Sequence, residues 1–220
     1  APYTVSYRLL DLLEKPLSEC PVYSLHFAET GQEWEFMRTH GGAIDNLYRN
    51  VWHREVQIPT QEEYLRLIER MGRGGKCTLL VHCVRLERGE MQRLKESCPG
   101  LAVVLCPMSN LFMEGRLADI EGMRQAGLRI AVGTDSLSSS PSLSVLEQLK
   151  VINRYYPLVP VPELMRWATR NGAEALGFSH LGRIEVGLAP GLNAIEGDGV
   201  LQGDLSAARV VPLAGLHGLR

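Results

Sequence analysis

Three short stretches of this sequence end an apolar run on a group that can bind a metal or move a proton. "SLHFAET" carries His26 and, three residues later, Glu29; "LLVHCVRL" carries His82; "IAVGTDS" carries Asp135. A fourth, "VVLCPMSN", ends on Asn110. Two imidazoles and a carboxylate suit a divalent metal such as zinc or iron, as ligands or as neighbours of its ligands, and Glu29 stands near enough to His26 to shuttle protons. Each group alone has an ordinary explanation. A strand-end histidine is often a hydrogen-bonded structural residue, and an aspartate before serine often caps a turn or helix. Their recurrence at successive strand ends argues for shared chemistry.

The elements that must position these groups are short buried strands. "CPVYSLHF" reads as a strand from Pro21 to His26, and "TLLVHC", "LAVVLCP" and "LRIAVGTD" follow it. Each is rich in Val, Leu or Ile with almost no alternation, as expected for strands covered on both faces. Between them the pattern predicts helices from Glu62 to Met71, Gly89 to Ser97, Leu117 to Ala126 and Leu143 to Ile152. Ser142 or Pro141 would start the last, and Gly127 would stop the third. "VPELMRWATRNGAEALGF" is a further helix, closed by Gly177. This order predicts an α/β chain with a parallel sheet, whose C-terminal strand ends share one face and carry the site. The insert of residues 39–60, with Trp52 and His53, is long for a βα connection and suits either a lid or a decorative loop. From about Gly182 the chain turns glycine-rich, with short apolar pieces that read as small antiparallel strands.

Composition narrows the partners. With 220 residues, 45% hydrophobic and 22% charged, the chain falls in the globular class. A net charge of -2 gives no reason to expect nucleic acid or an acidic membrane as partner, so the expected ligand is a small molecule. Cys20, Cys77, Cys83, Cys98 and Cys106 form an odd set without a CxxC pair, which suggests apolar packing in a reducing compartment. No apolar run approaches the ~20 residues of a membrane span, and the opening lacks the order of a signal peptide. A cytoplasmic location is the expectation.

The same motifs carry a resemblance to the amidohydrolase superfamily, in the branch of cytosine deaminase-like, chlorohydrolase-like and adenosylhomocysteine/methylthioadenosine deaminase-like enzymes. "SLHFAET" resembles the HxxE segment of that family's fifth barrel strand. "LLVHCVRL" resembles the sixth strand, "VVLCPMSNLFM" the seventh and "IAVGTDSLSSSPSLSVLEQL" the eighth. "ATRNGAEALGF" and "GRIEVGLAPGLNAI" resemble the closing helix and the return to a small β-sandwich. The resemblance implies the C-terminal half of a TIM-like (β/α)8 barrel, strands 5–8, over residues 1–181, followed by part of a small β-sandwich over 182–220.

Two departures accompany it. The family's first-strand HxH pair is absent from the six histidines here, and "GLAPGLNAI" lacks the acidic residue of the family's "GKxADLV". The opening "APYTVSYRLL" resembles residues just after the fourth strand, so the chain reads as beginning mid-barrel. A half barrel would leave two open sheet edges and a bare core. The expected partner is therefore the N-terminal half of the same protein, with a homodimer left open.

Carried over position by position, the resemblance makes His26 and Asp135 metal ligands, in a site for one divalent ion, zinc or iron. Glu29, His82 and Asp135 become the catalytic groups: Asp135 takes the proton of the attacking water, His82 steadies the developing charge, and Glu29 protonates the ring of a heterocyclic substrate. Asn110, Arg85 and Trp52 are substrate-binding candidates. The implied activity is hydrolysis of a carbon–nitrogen bond, above all deamination of a purine, pyrimidine or related heterocycle. Chlorohydrolase-type displacement and a non-catalytic fragment are the alternatives.

Overall fold

A computed structural model describes residues 1–55, 57–72 and 76–213, without the side chains of Glu14 and Ser18. Residues 214–220 of the expected C-terminal module lie outside the described residues, as does Val56 of the insert. Helix α1 (Tyr7–Glu19) leads into β1 (Val22–Phe27), then α2 (Gly31–Thr39), α3 (Gly42–Asn46) and α4 (Gln61–Gly72). β2 (Cys77–His82), α5 (Arg88–Ser97), β3 (Leu101–Leu105), α6 (Pro107–Glu114), α7 (Ile120–Gln125) and β4 (Arg129–Val132) follow. α8 (Val145–Tyr155), α9 (Val161–Arg166) and α10 (Gly172–Ala175) lead to a hairpin of β5 (Asn193–Glu196) and β6 (Arg209–Pro212).

Strands β1 to β4 form one parallel sheet in the order β1-β2-β3-β4. Spatial order follows chain order with no reversal, as when each βα unit winds on in the same direction. The architecture is α/β with a parallel sheet, as the alternation of strand and helix patterns predicts.

Register assigns each face. Tyr23, Leu25 and Phe27 align with Thr78, Leu80 and His82, and through β3 with Leu101 and Val103. This row packs Phe27, Leu80, Leu101, Val103, Leu105 and Ile130 against helix residues such as Phe36, Ile68, Leu94, Met123, Leu149 and Leu164. Burying such side chains contributes roughly 1.5–3 kcal/mol each and holds the helices to the sheet. The opposite face carries Val22, Ser24 and His26 beside Cys77, Leu79 and Val81. There Leu79 and Ala102 pack on Ala175 of α10.

The helix boundaries follow their caps. Thr30 starts α2 by accepting the Glu33 N–H, Asp119 starts α7 at Gly122, and Ser144 starts α8 at Glu147. The expected starts at Ser142 and Leu117 thus move inward, because the side chain that reaches the free N–H decides the first turn. Gly127 stops α7 with φ +67°. The first half of the insert is helical: α3 runs into a π-type turn over Leu47–Val51, where Tyr48 stacks on Phe36 and donates its hydroxyl to the Tyr3 carbonyl. Among the described residues no helix is long and apolar enough to cross a membrane, and no disulfide joins the cysteines.

Candidate active site

The strand tips depart from regular backbone. Ala28, His82, Cys83 and Asp135 have φ of +52°, +72°, +52° and +59°, a left-handed conformation that costs residues with a Cβ of order 1–3 kcal/mol. The departure matters most at His82. Strand alternation pairs it with Phe27 on the helix-facing row. The left-handed turn breaks that alternation, and the His82 ring meets the His26 ring edge-on at 4.9 Å. His26 belongs to the opposite row, so both imidazoles reach one site.

His82 is fully buried, at 0% exposure. Its Nδ1 lies 2.9 Å from the Asn110 Oδ1, which makes Nδ1–H the donor and fixes the ring plane. Its Nε2 lies 3.4 Å from Glu29 Oε1 yet makes no hydrogen bond there or elsewhere among the described residues. A buried ring nitrogen without a partner is costly unless a bound group completes it. One ligand atom each of His26, Glu29 and His82 lies within 4.8 Å of the others.

Electrostatics sets the charge states. Burial, reinforced by the neighbouring His82, lowers the His26 pKa, against the pull of Glu29 and Asp135. The ring then stays neutral near pH 7 and keeps a lone pair for a metal. Burial alone would raise Asp135, but the hydroxyls of Ser109 and Ser139, donating to Oδ2 at 2.6 and 2.7 Å, hold it below the ordinary value together with the Ser136 N–H and His82. Asp135 is an anion, standing outside the 4.8 Å trio while its charge acts on His26. Cys106 is no nucleophile, because burial and then Asp135 push its thiol up to about 12. A neutral imidazole, a buried imidazole with an open nitrogen, and two carboxylates are a donor set that fits zinc or iron.

The remaining candidates take other places. Asn110, 1% exposed, is engaged with His82. Arg85 donates from Nε to Glu114 Oε2 at 2.9 Å, and the same oxygen accepts the Gly31 N–H at 3.0 Å, so the Glu114 carboxylate at the end of α6 joins the start of α2 to the segment after β2. Trp52 is 51% exposed and rests edge-on against Tyr48, 5.0 Å between ring centroids.

A family model described as the amidohydrolase family matches residues 38–213. The chain belongs to the amidohydrolase family. A 5-methylthioadenosine/S-adenosylhomocysteine deaminase of Halobacterium salinarum is 33% identical over 163 residues, 70% of this chain and 37% of that one. The structure of Helicobacter pylori aminofutalosine deaminase in complex with methylthio-coformycin aligns with TM-score 0.75 at 28% identity, over 95% of this chain and 53% of that one. An adenosine deaminase from Xanthomonas campestris with bound zinc aligns with TM-score 0.62 at 26% identity, over 90% of this chain and 43% of that one. The chain spans less than half the length of the curated relatives it matches first.

The sequence pattern of this amidohydrolase left several site residues unmarked. Glu33 accepts the N–H groups of Ala28 and Glu29, Glu114 holds Arg85, and Ser109 and Ser139 hold Asp135. Buried Gln148 accepts the Met108 N–H at 2.9 Å and donates to Ser140 at 3.1 Å, joining the loops after β3 and β4. Only Glu33 had a local signal, as the fourth residue of the Thr-x-x-Glu capping pattern that opens α2.

Proposed function

We propose that the protein is a hydrolytic deaminase that replaces the ring amino group of an adenine nucleoside or related heterocycle with oxygen and releases ammonia. The observation that carries this reading is the buried, unpartnered Nε2 of His82 facing the Glu29 carboxylate at 3.4 Å. Such a pair offers a hydrogen-bonding nitrogen and a proton donor to one substrate. Two of these relatives are named for adenosine compounds, a 5-methylthioadenosine/S-adenosylhomocysteine deaminase and an adenosine deaminase, which favours an adenine nucleoside over a pyrimidine.

The site's groups divide the work. Glu29 donates a proton to the ring nitrogen beside the carbon under attack, which makes that carbon electrophilic, and recovers one from the added hydroxyl as the carbonyl forms. With Nδ1–H committed to Asn110, His82 Nε2 orients the attacking water by its lone pair or, once protonated, donates to the oxygen gaining charge. Asp135 accepts the water's proton and returns it to the departing amino group, so water and amine are exchanged for carbonyl and ammonia. A divalent metal held by His26 and Asp135 would make that water acidic enough to ionise near neutral pH. Two ligands seldom hold such an ion, and the family's HxH pair has no counterpart in this sequence. The reading therefore includes an N-terminal half of the same protein that completes the barrel and the metal site, with residues 1–181 as barrel and 182–220 as part of the sandwich; coverage of 37–53% of the matched relatives supports it.

The test uses the full-length protein loaded with zinc or iron. Ammonia release from adenosine and 5′-methylthioadenosine, with about one metal ion per subunit by elemental analysis, is expected. No ammonia from any aminated purine or pyrimidine would overturn the reading.

A further inference from the structure

We infer that Glu33 is a positioning residue: its carboxylate fixes the Ala28–Glu29 backbone and thereby aims the Glu29 side chain at the reacting ring. This rests on the reading of Glu29 as proton donor.

Glu33 is 2% exposed, and burying a carboxylate is costly unless its oxygens are hydrogen-bonded. Both oxygens are used on the catalytic loop. Oε1 accepts the Ala28 N–H and Oε2 the Glu29 N–H, each at 2.9 Å. Two successive N–H groups converge on one carboxylate because Ala28 is left-handed, which folds the backbone into a small anion-binding concavity.

The helix end does not require this arrangement. Thr30 Oγ1 already accepts the Glu33 N–H at 3.1 Å, and an ordinary capping box would return the glutamate to the N-cap residue's own N–H. Glu33 feels the Thr30 N–H too, but its stronger bonds reach further back, to the two residues that precede Thr30. Other loops hold the same segment. The Ala28 carbonyl accepts the Arg85 N–H at 2.8 Å, and Glu114 accepts the Gly31 N–H at 3.0 Å. Residues 28–31 are thus held by Glu33, by the Arg85 backbone and by Glu114 at the end of α6, while the Glu29 side chain faces His82. Glutamine could accept only one of the two N–H groups and would turn its own NH2 toward the other.

A double-mutant cycle on the full-length zinc-loaded protein, with 5′-methylthioadenosine as probe, tests this. Glu33→Gln should lower kcat by about 10- to 100-fold, the scale of a misplaced reacting group, with metal content unchanged. In a Glu29→Gln background the same change should cost less than about threefold, because the group it aims is already gone. An equal loss in both backgrounds would mean a general structural role and overturn the proposal. Glu29→Gln with near-normal turnover would instead sink the proton-donor reading. Should Glu33→Gln fail to fold, Glu33→Asp, one methylene too short for both N–H groups, should show the same split. Amide hydrogen exchange over residues 27–30 needs no turnover: Glu33→Gln should speed it about tenfold or more, and unchanged exchange refutes the proposal.

Discussion

Replacing Asn110 probes whether the His82 ring is held in its working orientation by one hydrogen bond. Asn110→Leu keeps the branching of the side chain in a larger volume and removes the acceptor 2.9 Å from Nδ1. In the fully buried site the Nδ1–H then has no partner, a cost of about 1–3 kcal/mol. The ring can escape that cost by moving its proton to Nε2 or by rotating, and either change spoils the nitrogen that faces Glu29. At 1.36 kcal/mol per factor of ten, the loss in kcat should be about ten- to a hundredfold. Steady-state kinetics of the full-length protein, with metal content and thermal stability measured in parallel, reads this directly. If Asn110→Leu keeps kcat within about threefold of wild type while His82→Ala is inactive, Asn110 does not orient the ring and the substrate-contact expectation for it returns.

Asp135→Asn should abolish turnover of every substrate and lower the metal content found by elemental analysis, since the same carboxylate is assigned to both tasks. Arg85→Ala leaves Glu114, whose side chain is 6% exposed, without its cation; unfolding should become easier by about 1–3 kcal/mol with KM unchanged, and a tenfold rise in KM at full stability would instead make Arg85 a substrate contact. Burial pushes Glu33 from 4.5 up to about 7, against its backbone hydrogen bonds. A raised carboxyl pKa favours the protonated form in the fold, so that stability is fully present below pH 4.5 and is lost as pH rises through about 7. Denaturant titrations should show wild type losing on the order of 3 kcal/mol more than Glu33→Gln across that window, and parallel curves would refute the burial effect.

Legibility followed the range of the interactions. The four strands were readable because burial on both faces demands continuous Val, Leu and Ile, a requirement written along the chain. Several helices were readable through periodicity and caps, with errors at starts such as Ser144, where which serine reaches a free N–H depends on the backbone path. The helix at Tyr7–Glu19 and the helical first half of the insert were not anticipated. The insert folds as it does because Tyr48 packs on Phe36 and bonds to Tyr3, partners whose proximity local pattern does not encode.

The sequence by itself determined which groups stand at the strand ends, since a strand must finish where its apolar run finishes, and His26, Glu29, His82 and Asp135 occur there. It did not determine where they point. Alternation along β2 places His82 on the helix-facing row, and only its left-handed backbone brings the ring to His26. The partners that hold these groups come from other loops: Asn110 for His82, Glu114 for Arg85, Ser109 for Asp135. Residues separated by 26 to 29 positions meet because parallel strands in sequential order bring successive loops to one edge of the sheet, and that convergence exists only once the sheet has formed.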